Sequence, residues 1–166
     1  MKNFKLAVGS LVLLVGLIWG SAAAVHADDK QAVSSVEHKL AAATTTDEAL
    51  KYYGPGDDVE IFDMMGPPRE FAGHKAIRDH FADILGQFKD VKIDFVELKV
   101  ISDGKLALAR SVQHLTAMGP DGKPFDTTFR QTDLLRKTHG QWKIIDQHIS
   151  VPVDLKTGKA DMASGM

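Results

Sequence analysis

Seven side chains in this 166-residue chain have the type and placement to do chemistry. Along Leu106 to Thr116, alternation puts Leu106, Leu108, Arg110, Val112 and His114 on one face of a strand. A guanidinium among aliphatics is informative, because a buried charge must be paired or hydrogen-bonded. Arg110 therefore reads as a core or interface ion pair with Asp133 or Asp63, or as an anchor for a ligand anion or carbonyl, with His114 beside it. Asp133 lies mid-strand on the face of Phe129 and Leu135. Kept dry it is a general base of raised pKa; beside Arg110 it is half of an ion pair, and that pairing is the expectation. His148 alternates with Trp142, Ile144, Asp146 and Ser150, as a core histidine does, or as an acid/base or ligand-bonding group does. Asp63 ends an alternating segment beside Gly66-Pro67-Pro68, a place for a loop-capping or solvated carboxylate. Tyr53 closes a helix as a core anchor or an oxyanion-binding hydroxyl, and Trp142 supplies apolar wall.

Other chemistries are excluded by what the chain lacks. With no cysteine there are no disulfides, thiolate nucleophiles, iron–sulfur clusters or Cys-based zinc sites. No phosphate-binding glycine loop, G-x-G-x-x-G, H-E-x-x-H or nucleophile elbow occurs. The histidines show no i, i+4 pair, so no metal site is expected, and no cofactor. A formal charge of −2 without a basic block speaks against nucleic acid as a partner.

The elements that must position these groups follow from pattern. Lys2 and Lys5, an apolar run from Leu6 to Trp19 and then Val25-His26-Ala27 match the three regions of a secretory signal peptide. The run is about 14 residues, short of the ~20 a spanning helix needs. Residues 1–27 are thus expected to be removed on export to the periplasm or medium, leaving a chain with no membrane contact. Residues 30 to 53 read as a helix (Val33, Val36, Leu40 and Ala43 on one stripe), interrupted at Thr44-Thr45-Thr46 with Thr46 as a fresh N-cap. Asp58 to Met64 alternates as a strand, and His74 to Phe88 is a third helix. Strands over Val91–Ile101, Leu106–Thr116, Phe125–Arg136 and Trp142–Val151 follow, joined by turns at Asp103-Gly104, Gly119 to Pro124 and His139-Gly140. Residues 155–166 carry no periodicity and are expected to fray. Helices, a strand, a helix and four antiparallel strands make an α+β domain with helices on one face of a curved sheet.

Two stretches carry a likeness to a known family. Glu70-Phe71-Ala72-Gly73-His74-Lys75-Ala76-Ile77-Arg78 resembles the G-x-x-A-I-R opening of the third helix in the nuclear transport factor 2-like superfamily. Phe129 to Lys137, leading through Gly140-Gln141-Trp142-Lys143-Ile144-Ile145 to His148-Ile149-Ser150, is similar to the closing hairpin of SnoaL-like domains and of the calmodulin-dependent kinase II association domain. The resemblance covers roughly Ala32 to Asp154 and implies a cone-shaped curved antiparallel sheet with about three helices on its concave face, residues 28–154 being the SnoaL-like domain. It implies a ketosteroid isomerase-like pocket, with Arg110 on a strand that bears a pocket arginine in the kinase association domain, Asp63 in the region of the isomerase's proton-shuttling carboxylate, and Tyr53 where this fold often supplies a hydroxyl. Two other pocket arginines of that association domain fall on Asp133 and Ile149, which are not basic. The superfold hosts many functions. The expectation is an exported small-molecule-binding protein with an apolar cone pocket, polar at Arg110, His114, Tyr53 and Trp142. A cofactor-independent acid/base enzyme of isomerase, cyclase or dehydratase type, using Asp133, His148 or Asp63, is the alternative. An oligomeric scaffold is the third reading, and apolar residues on both sheet faces predict a homodimer.

Overall fold

The computed structural model describes residues 18–67 and 69–162, so most of the proposed signal segment lies outside the described residues. Helix α1 (Ile18–Ala41) is continuous through Ala27. Among the described side chains, the first with a tertiary partner is Asp29, whose buried carboxylate meets Lys137 Nζ at 2.7 Å. From there Val33, Val36 and Leu40 face the sheet, as their three- and four-residue spacing requires. The cap of helix α2 (Thr46–Leu50) lies one residue earlier than expected: Thr45, not Thr46, is the N-cap and accepts from Glu48 N at 3.2 Å, while Glu48 reaches back to Thr44 N. That reciprocal pairing is a capping box set one residue out of the usual frame. Helix α3 (His74–Gln87) follows Gly73, whose φ of 83° no branched residue would hold without strain.

Six strands form one open, curved sheet in the order β2-β1-β6-β5-β4-β3. They are β1 (Glu60–Phe62), β2 (Phe71–Ala72), β3 (Lys89–Ser102), β4 (Leu106–Met118), β5 (Pro124–Thr138) and β6 (Gln141–Ser150). All neighbours are antiparallel except β1 and β6. The short β2 was not expected from the sequence. The α+β cone with three helices on its concave face is the architecture the pattern called for.

The inner face of β4 carries Ala107, Ala109, Ser111, Gln113, Leu115 and Ala117, and their small size lets α1 lie close against the strand. Opposite them on β5 are Phe129, Gln131, Asp133 and Leu135, and on β6 Trp142, Ile144, Gln147 and Ile149. Two apolar clusters result. One gathers Val33, Leu50, Tyr53, Ile61, Ile77, Leu135, Trp142 and Ile144; the other gathers Leu115, Ala117 and Phe129 with Phe88, Ile93 and Phe125 around them. Each fully buried Ile or Leu contributes roughly 1.5–3 kcal/mol against exposure. The tail departs from expectation: β7 (Val153–Asp154) and β8 (Lys159–Ala160) form a hairpin closed at Gly158, and Thr128 N donates to Met162 O at 3.0 Å. Asp154-Leu155-Lys156-Thr157-Gly158 supplies turn chemistry that a search for periodicity passes over.

Candidate functional site

Between the two clusters lies a cavity of about 140 Å³. Its walls are apolar: Leu40 comes from α1, Phe81 and Phe88 from α3 and its C-terminal cap, Leu115 from β4, and Phe125 and Phe129 from β5. Its polar lining is Glu37 from α1, Tyr53, Asp63 after β1, and the amides Gln113, Gln131 and Gln147 from the inner sheet face. The register explains this convergence, since Gln113 pairs with Phe129, Ser111 with Gln131 and Asp133 with Gln147.

Behind that polar lining is a buried acid network. Glu37 and Asp133, each 1% exposed, hydrogen-bond side chain to side chain. Two carboxyl groups do so only when one carries a proton. Glu37 Oε1 and Asp133 Oδ1 are buried with no conventional donor among the described residues. Asp133 also accepts from Gln131 Nε2 at 2.6 Å and from Gln147, whose Oε1 accepts from the Tyr53 hydroxyl at 2.8 Å. Burial pushes Glu37 up to about 10, and the neighbouring Asp133 pushes the same way. Burial raises Asp133 too, opposed by the hydrogen bonds it receives from Glu37, Gln131 and Gln147. The Tyr53 hydroxyl is held well above its ordinary value by burial and by the two acids, so it is a donor at neutral pH.

Asp63 reaches the cavity from another element. Its Oδ1 accepts from Met65 N at 2.8 Å, the loop-capping bond expected of it, but the side chain is buried rather than solvated. Its Oδ2 lies 3.0 Å from His80 Nε2 of α3. The His80 ring is stacked on Phe71 at 3.8 Å between centroids, 16° from parallel, which fixes the pair. A carboxylate so oriented on an apolar cavity wall has the geometry of a general base or a ligand acceptor.

The model of the SnoaL-like domain matches residues 33–154. The chain belongs to the SnoaL-like family. No curated protein matched the chain. Among solved structures, this SnoaL-like domain is similar to a nuclear transport factor 2-like protein from Pseudomonas putida (TM-score 0.73, 23% identity, 84% of this chain and 98% of that one). It is also similar to a nuclear transport factor 2-like superfamily protein from Salmonella enterica (0.67, 17%, 84% and 99%) and a ketosteroid isomerase-like protein from Erwinia carotovora (0.63, 16%, 74% and 95%). At these identities the likeness is one of fold.

Of the sequence-derived candidates, the SnoaL-like cone brings Tyr53, Asp63 and, one layer behind, Asp133 to its cavity. Four others it does not. Arg110 is exposed on the outer sheet face between Lys99 and Thr132, and does not pair with Asp133. Leu106, Leu108 and Val112 stand on the outer face of β4, because beside α1 the inner one is kept small by Ala107, Ala109 and Ser111. His114 is on that outer face too, 2.9 Å from Asp126. His148 is exposed beside Phe62, because the bulge at Ile145 inverts the alternation that began inward at Trp142 and Ile144. Trp142 faces inward but packs in the apolar cluster away from the cavity, under Lys137 Nζ at 5.6 Å. Arg110→Ala is accordingly expected to shift stability by less than about 0.5 kcal/mol; a loss of several kcal/mol in urea unfolding would restore it to the interior. Sequence reasoning missed Glu37, His80 and the three glutamines. Glu37 was detectable as a charge at i+4 from Val33 on the apolar stripe of α1, and His80 as a polar residue three past Ile77 on that of α3.

Proposed function

We propose that this domain binds a small, largely apolar molecule in the cone, no bigger than a single ring. The observation that carries the reading is the cavity itself: about 140 Å³ of unfilled, aromatic-walled space with a few convergent polar groups. A dry cavity of about 150 Å³ is known to accept benzene. Benzyl alcohol, titrated calorimetrically, is expected to bind the wild type, and Ala117→Trp, which fills the space, to abolish binding. Undiminished binding by that variant would refute the reading.

A second reading, acid/base turnover of the bound molecule, is favoured by the Asp63–His80 pair on the wall. Under it Asp63→Asn lowers turnover of bound substrate at least ~100-fold; unchanged turnover excludes Asp63 as the base. We also propose export with cleavage near Ala27, supported by Ala27 and Asp28 being exposed and by packing that is in place at Asp29. An intact mass that includes Met1 to Trp19 would contradict it. Self-association through the outer sheet face is supported by exposed Phe62, Val96, Ile101 and Leu106. Sedimentation showing only monomer at micromolar concentration would contradict that.

A further inference from the structure

The cavity's polar groups share one electrostatic character. Glu37 and Asp63 line it, Asp133 backs it, and none of the described residues lining it is a lysine, arginine or histidine. His80 meets Asp63 on a side that opens to a separate surface depression, next to Met65 and Phe71. The partners of Asp133 are a carboxyl and two amides, so the one negative charge left on the Glu37–Asp133 pair has no cation beside it. A ligand carboxylate would bring a second negative charge into this low-dielectric space, which is strongly unfavourable. A neutral head gains one hydrogen bond. An ammonium gains attraction to the acids, and the aromatic rings of Tyr53, Phe81, Phe88, Phe125 and Phe129 in the same wall are surroundings that suit an organic cation.

We infer that the ligand is a small organic amine, a protonated amino group on an apolar body of about one ring, its ammonium received by Asp63 with the charge of the Glu37–Asp133 pair close behind the wall. This rests on the binding function proposed above and adds the charge class of the ligand. It also sets aside the anion preference that an inward arginine would have implied.

The test is a matched series on the full chain at pH 7: benzylamine, benzyl alcohol and benzoate, titrated calorimetrically. Benzylamine is expected to bind about tenfold or more tightly than benzyl alcohol, and benzoate not measurably. Asp63→Asn, which leaves the buried acid pair intact, is expected to weaken benzylamine at least about tenfold while leaving benzyl alcohol within about threefold. Asp133→Asn, which removes the charge of the Glu37–Asp133 pair, is expected to do the same, and Asp63→Asn covers the case in which Asp133→Asn does not fold. Benzoate binding as tightly as benzylamine, or amine affinity unchanged in the folded variants, overturns the inference. Benzyl alcohol bound equally well refutes the amine preference alone. If none of the three binds, the cavity reading falls with it.

Discussion

Asp133→Ala is expected to cost about 3–5 kcal/mol of folding stability, read as a lower urea midpoint with an unchanged slope. The size follows from what the change abandons. Glu37, Gln131 and Gln147 all direct hydrogen bonds at Asp133 in a region closed to solvent. Removing the acceptor leaves three buried polar groups to find others, and each orphan costs about 1–3 kcal/mol. Glu37→Gln replaces a neutral acid by a neutral amide of the same shape, so its cost at pH 7 is expected to be below about 1.5 kcal/mol. Equal, small effects of Asp133→Ala and Glu37→Gln would mean that the network is hydrated.

Stability is also expected to fall as pH rises across the neutral range, the reverse of the usual acid denaturation. Glu37 is held protonated up to about 10 in the fold, whereas the unfolded chain releases that proton near its ordinary 4.5. Between those values the native state binds one more proton, so each pH unit removes about 1.4 kcal/mol. The contribution is complete below pH 4.5 and is lost as pH climbs toward 10. Exposed acids act with the opposite sign in a separate window: backbone N–H groups hold Asp103, Asp121 and Asp154 below the ordinary range, so what they add is lost only in acid. Glu37→Gln is expected to flatten the neutral and alkaline slope and leave the acid limb unchanged. A wild-type profile flat from pH 6 to 9 would show that no proton is retained at Glu37.

The architecture was legible because hydrophobic period reports secondary structure directly. The stripe Val33-Val36-Leu40 and the alternation along residues 106–116 each located an element to within a few residues. Facing was less legible. A strand's two faces are told apart by which is more apolar, and on β4 the inner face carries three alanines, a serine, a glutamine and one leucine while the outer carries two leucines and a valine. Choosing the larger residues as core put Arg110 and His114 inside. On β6 the choice was right at Trp142 and wrong by His148, because the bulge at Ile145 leaves no mark in a single sequence. Asp133 was correctly turned inward by its neighbours Phe129 and Leu135, but its partner lies on α1, about 96 residues earlier, and nothing local links the two. The site was thus partly readable: Tyr53, Asp63 and Asp133 were found from their neighbours in sequence, whereas Glu37 and His80, brought in by helix docking, and the strand amides Gln113, Gln131 and Gln147, which polarity alone would turn outward, were not.

The proposed function requires that small molecules enter the cone rather than settle on the outer face of the sheet. A crystal structure after an iodobenzene soak tests it in one measurement, since anomalous scattering locates the iodine without prior assumption. The account predicts an iodine peak between α1 and the inner faces of β4 to β6, in contact with Leu115 and Phe129. A cone filled by its own side chains, with iodine found only on the outer face near Arg110 and Arg130, would contradict it.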